Sequence, residues 1–106
     1  MLYGTEKQLK WANDIIHRID RFDEKVAILE EMIDDNKLLD VTKKVRRRAE
    51  EAKMEKDASL LINCYGYLGL ENKRESLKRY LLDMVDTEDV VLVYGIMLVA
   101  KRHGIK

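Results

Sequence analysis

Eleven residues from Val90 to Ala100, VVLVYGIMLVA, form the longest uninterrupted apolar run in the chain, and any fold must account for what surrounds them. Val90, Val91, Val93 and Val99 are β-branched and by themselves fit a strand. The ends of the run argue for a helix. Thr87 or Asp86 can cap a first turn, Glu88 and Asp89 put negative charge at its positive end, Lys101, Arg102 and His103 occupy the last turn, and Gly104 supplies a C-terminal cap. A strand here would also lack a partner, because no other stretch alternates apolar and polar residues. The run is therefore read as a helix over Thr87–His103. Eleven residues rise only about 16 Å, roughly half of a bilayer's hydrocarbon thickness, so burial in protein is expected and membrane insertion is not. A helix apolar on every side is expected to be wrapped by the others, and Leu98→Ala should then cost about 2–5 kcal/mol. Gly95 costs roughly 1 kcal/mol against Ala, which points either to a second helix crossing closely there or to a local break at Tyr94–Gly95.

The rest of the chain supplies the wrapping. Thr5-x-x-Gln8 reads as a capping box ahead of Leu9, Ala12, Ile16 and Ile19, predicting a first helix to about Asp20, with Trp11 closing the rim of the core. The spacing then slips at Phe22. Asp20 or Asp23 can cap a second helix carrying Phe22, Val26, Leu29 and Ile33, or the two can run on as one bent helix; two helices is the preferred reading. Asp34, Asp35 and Asn36 punctuate the chain before Leu38, Val41, Val45, Ala49 and Ala52 recur at helical spacing, with the basic residues on the far side. Asp57 or Ser59 restarts a helix through Leu60, Leu61 and Cys64 that ends at Gly66 and Gly69. A further amphipathic helix is expected from about Glu71 to Val85, with Leu77, Leu81 and Met84 inward and Lys73, Arg74, Lys78 and Arg79 outward. The absence of Pro and a charged fraction of 38% agree with an all-α chain. The expected architecture is one helical domain over residues 1–106, a compact bundle of five or six helices around a buried C-terminal helix.

Charge limits the function classes. Twenty basic and twenty acidic residues cancel, so no overall field draws the chain to nucleic acid or to an anionic membrane. The order of the charges is uneven: residues 20–35 hold seven acidic and two basic side chains, whereas residues 37–53 hold seven basic and three acidic. Lys43, Lys44, Arg46, Arg47 and Arg48 form the densest cluster. Its plainer reading is a solvated face lying against the acidic block, with Arg46–Glu50 and Arg47–Glu51 as exposed pairs. Its sharper reading is a phosphate-binding face of a nucleic-acid-binding regulator. Tyr65 and Tyr67, flanked by glycines, are either interface anchors or half-buried rings at a core edge.

Signals of catalysis are weak. Cys64 lies in an apolar run, as a buried inert thiol would. His17 and His103 are far apart in the chain, and Asp14-x-x-His17 is half of a carboxylate-bundle metal site whose second half is missing. No phosphate loop, dinucleotide fingerprint or nucleophile elbow is present. No enzyme activity, cofactor or metal is expected. The single Cys fits a reducing cytoplasm, and the opening MLYGTEKQLKW lacks the apolar core of a secretion signal, so a cytoplasmic location without membrane attachment is expected.

The segment Gly4-Thr5-Glu6-Lys7-Gln8-Leu9-Lys10-Trp11-Ala12-Asn13-Asp14-Ile15 resembles G-[ST]-x-K-Q-x-x-W-A-x-x-I, which opens many small uncharacterised proteins of phages and other bacterial mobile elements. Asp57 to Asn63 is similar to a later piece of those proteins but lacks its paired aromatics. The resemblance implies a mobile-element origin and action by binding host or phage proteins, including inhibition of defence nucleases. The expected function is thus a non-enzymatic binding protein whose partner is a protein or a protein–nucleic-acid complex. Lys43, Lys44, Arg46, Arg47 and Arg48 are its candidate contacts, with the acidic face of residues 23–35, Trp11, Tyr65 and Tyr67. Direct nucleic-acid binding is the rival, and a structural or oligomerisation module is a further alternative, since a second copy could equally cover the apolar surplus of the last helix.

Overall fold

The computed structural model describes residues 1–68, 70–71 and 74–106. Among them, helix α1 spans Glu6–Met32, α2 Asn36–Lys53, α3 Ala58–Tyr65, α4 Leu77–Met84 and α5 Val90–Arg102, with a 3₁₀ turn at Thr87–Asp89. The fold is an all-α bundle. A two-residue antiparallel ladder, β1 (Leu70–Glu71) with β2 (Arg74–Glu75), sets Leu70 opposite Glu75 and Glu71 opposite Arg74 just before α4. The helix expected to begin near Glu71 therefore starts at Leu77, capped by Ser76. Gly69 and Lys73, expected at a turn and on an outward helix face, lie outside the described residues, as does the side chain of Arg74.

The organising helix is α1, not α5. Its 27 residues rise about 40 Å at helical pitch, and the molecule's longest dimension is 44 Å. The Thr5–Gln8 capping box is present in both directions, with Gln8 N–H donating to Thr5 Oγ1 at 3.2 Å and Thr5 N–H to Gln8 Oε1 at 2.9 Å. The expected break near residue 20 does not occur. Ala12, Ile15, Ile19, Phe22, Val26 and Leu29, all buried, alternate spacings of three and four without a slip. Leu9 and Ile16, whose spacing suggests a slip, are only half-buried, and the buried stripe runs through Ile15 instead. Asp20 and Asp23 stay helical and point at α2, where Asp20 pairs with Lys53 at 3.0 Å and Asp23 with Arg46 at 3.5 Å.

Asp35 caps α2 by accepting from Lys37 N–H at 2.8 Å and Leu38 N–H at 3.2 Å. The short link forces α2 back antiparallel along α1, burying Val41, Val45, Ala49 and Ala52. Asp57 caps α3, which lies across the first half of α1 with Ala58 and Leu61 inward. The chain start is fastened beside it, Tyr3 N–H donating to the Lys56 carbonyl at 2.6 Å and Ala58 N–H to the Tyr3 carbonyl at 2.9 Å. α5 packs against α2, α4 and α1. The close crossing expected at Gly95 is found: a Cβ there would stand 3.1 Å from Leu38 Cδ2 of α2. Gly104 takes the left-handed conformation (φ 69°) just past the end of α5.

The complete burial of α5 is overturned. Val93, Ile96 and Ala100 are sealed in the core, but Val91, Tyr94 and Leu98 are 76%, 52% and 62% exposed. α1, α2 and α4 meet α5 on the side of Val93, Ile96 and Ala100, and on the other side Lys78 Nζ stands over the Tyr94 ring, 5.1 Å from its centroid. Cys64 is exposed as well, because α3 turns Ala58 and Leu61 to the core and Leu60, Asn63 and Cys64 away from it. No helix among the described residues is long and apolar enough to cross a membrane.

Candidate interaction surfaces

The basic cluster of α2 is divided by the helix periodicity, which sends its members to different neighbours. Arg46 turns to α1, its Nη1 donating to Glu30 at 3.1 Å while its Nε stands 3.5 Å from Asp23 Oδ1, a charge contact outside hydrogen-bond geometry. Lys44 reaches the other way and donates to Asp89 at 3.0 Å. Arg48 donates to the Met84 carbonyl and to Asp86, holding the link between α4 and α5. The anticipated Arg46–Glu50 and Arg47–Glu51 pairs do not form among the described residues. Partners on other helices are better placed, and they join elements instead of decorating one face. Lys43 and Arg47 are exposed and make no ion pair with a described residue, so two of the five cationic side chains face water without a fixed counter-charge. The acidic block and the basic block do lie against each other across the α1–α2 seam, as the plainer reading of the charge order expected.

Local electrostatics follow from these pairings. Burial pushes the Asp23 carboxyl above its ordinary range, against the pull of Arg46 and Lys53. Hydrogen bonds from Lys53 to Glu50 and Asp20 raise the lysine in turn. Asp86, Glu88 and Asp89 bring three carboxylates within 4.8 Å of one another. Lys44 on Asp89 and Arg48 on Asp86 already supply cations there, so this group reads as part of an ion-pair network linking α2 to the start of α5.

The aromatic candidates separate. Tyr65 is half-buried, burial raising its pKa, and it packs on the core edge. Tyr67, two residues on, points outward and is 79% exposed. Trp11 leaves α1 beside the end of α3, its Cζ2 3.6 Å from where Gly66 would carry a Cβ, with 46% of the residue exposed. A Cβ at position 66 would stand 2.5 Å from the Ile62 carbonyl oxygen, which is what calls for glycine here, whereas the indole would meet it at ordinary contact distance. Leu60 and Cys64 share the outer side of α3, Tyr67 is exposed in the turn just past its end, and Tyr3 is exposed at the strap beside its start. The sequence reading found Trp11 and Tyr67 but missed Leu60 and Tyr3. Residues 60 and 64 lie on one helical face, visible only once Ala58 and Leu61 are known to form the buried one.

Arg18 is a further residue the sequence did not single out. It sits on the core side of α1, its Nη2 bound to Asp14 at 2.9 Å and its Nη1 donating to the Leu68 carbonyl at 3.3 Å, which ties the turn after α3 to α1. His17 is exposed one residue before it. Which residues of α5 face outward was not legible in the sequence, although an apolar surplus that a second copy could cover was. Beside these residues a groove of about 640 Å³ opens between α5 and the start of α4, lined by Leu77, Met97, Leu98 and Ile105 with Lys78 and Lys101 at its edge. Comparison of the chain with protein-family models, with curated proteins and with solved structures gives no match.

Proposed function

We propose that this chain is a non-enzymatic binding protein that recognises a protein partner through the aromatic end formed by the start of α1 and the turn after α3. The observation that carries the reading is the exposure of Trp11 on α1 and of Tyr67 in the turn after α3, where the indole meets Gly66. Large rigid rings held by a fixed backbone lose little entropy on docking and are the side chains that most often dominate binding energy. The non-enzymatic part rests on the employment of Asp23, Glu30, Arg46, Asp86 and Asp89 as links between helices. A single exposed Cys64 supports a reducing cytoplasm as the working compartment. The resemblance of the opening segment to mobile-element proteins directs the search for the partner to bacterial defence nucleases and their complexes.

Affinity capture from a bacterial host, with and without nuclease treatment, tests the reading. Capture that survives nuclease and raised salt, and is lost in a Trp11→Ala, Tyr67→Ala variant, is the expected result. The nucleic-acid alternative keeps Lys43 and Arg47 as its free cations. Capture that disappears with nuclease, weakens steeply with salt and fails in Lys43→Glu, Arg47→Glu would replace the present proposal with that one.

A further inference from the structure

The uncovered side chains of α5 fall along one line. Val91, Tyr94 and Leu98 follow one another at helical spacing on the side opposite Val93, Ile96 and Ala100. Exposed Thr87 and Glu88 precede this line, and exposed Lys101 and Arg102 follow it. The order from start to end is therefore negative, apolar, positive. Such an order complements itself when a second copy lies antiparallel. A two-fold axis beside Tyr94 and Gly95 then sets Val91 against the partner's Leu98 and Glu88 against the partner's Lys101, each contact occurring twice. A parallel pairing would instead oppose Glu88 to Glu88 and Lys101 to Lys101. A foreign acidic helix would satisfy the lysines beside the groove but leave Glu88 facing like charge. The chain's charges cancel overall, so two copies approach without net repulsion.

We propose that the protein forms a symmetric dimer through antiparallel α5 helices, with the Glu88–Lys101 pairs fixing the register. This goes beyond the partner-binding reading and does not depend on it, since the α1–α3 aromatic end plays no part in the contact. The contacting patch is one helix face, small for an obligate interface, so association depends on concentration.

Light scattering and sedimentation on the full chain test the proposal. The expected result is a mass rising from 12.5 kDa toward twice that value with concentration, and a dissociation constant weakened by about tenfold or more in Leu98→Glu. Glu88→Lys alone and Lys101→Glu alone each set like charges together and should weaken the dimer. Mixing those two variants restores opposite charges at both ends, and the mixture should associate more tightly than either alone. All three positions are exposed, and circular dichroism of each variant confirms that the helices persist. A single 12.5 kDa species at every concentration up to about 1 mM overturns the proposal and leaves the face to a different protein. A dimer indifferent to Leu98→Glu, or single charge variants that bind as tightly as the parent, overturns it too.

Discussion

Tyr80 is wholly buried and stacks on Phe22, ring centroids 4.8 Å apart, yet no described residue gives its hydroxyl a hydrogen bond. Burial drives its pKa well above the ordinary tyrosine value, so the ring stays neutral at any working pH. A buried hydroxyl left without a partner costs about 1–3 kcal/mol, whereas the stacked ring survives in phenylalanine. Tyr80→Phe should therefore raise the unfolding free energy by about 1 kcal/mol in urea titrations, and a comparable loss would mean that the hydroxyl has a partner after all. A second pair of substitutions reads the orientation of α5. Ile96→Ala removes a sealed side chain and should cost about 2–5 kcal/mol. Leu98→Ala, measured on dilute protein, should change stability by no more than roughly 0.5 kcal/mol, because the side chain already stands in water.

At the scale of the element, boundaries set by chemistry contained within one turn were legible in the sequence at several places, though not at the start of α4 or before α5, where neither Asp86 nor Thr87 makes a side-chain cap. Thr5 with Gln8, Asp35, Asp57 and Gly104 stop or start helices where their side chains or backbone freedom predict. Asp35→Ala should cost about 1 kcal/mol because two N–H groups of α2 lose their acceptor, while Asp34→Ala, beside it and uninvolved in the cap, should stay near zero. Thermal unfolding of the two variants compares them directly. Facing was harder to read than extent. A helix apolar all round, such as α5, does not disclose which side its neighbours cover, and α3 hid the exposure of Cys64 and Leu60 in the same way. Within α1 the true stripe was present in the spacing, but two aspartates at positions 20 and 23 mimicked caps. Their carboxylates serve α2, a long-range partnership that no local pattern encodes. The basic cluster was legible as a cluster, and its division among α1, the 3₁₀ turn and the α4–α5 link was not. Trp11 and Tyr67 stood out by residue type alone. The groove beside α5 depends on where α4 begins, which the β1–β2 ladder delays to Leu77.

Across the whole molecule, opposite charges in equal number are arranged so that ion pairs join α2 to α1 on one side and to the segment before α5 on the other, and one of these is taken partly out of water. Asp23 lies between α1 and α2, facing Arg46, Lys53 and Glu50, with Asp20 on its own helix and Tyr80 behind it. Desolvation is the largest influence and outweighs the two cations, so the folded pKa stands above the ordinary aspartate value of 3.8. The sign of the linkage follows. Between the unfolded and folded values the native state holds the proton more firmly, so this group's favourable contribution is complete below its unfolded pKa and is lost as pH rises through the folded one. Asp23→Asn removes the titration and keeps the shape, while Arg46 retains Glu30 at 3.1 Å. The difference in unfolding free energy, parent minus variant, should therefore fall as pH is raised from below 3.8 toward neutrality. Subtraction removes the contribution of groups remote from Asp23, which the substitution leaves unchanged. Urea midpoints across a pH series give this difference, and a value that climbs with pH would mean that Arg46 and Lys53 hold Asp23 as a well-paired ion and that the α1–α2 seam is wetter than its packing implies.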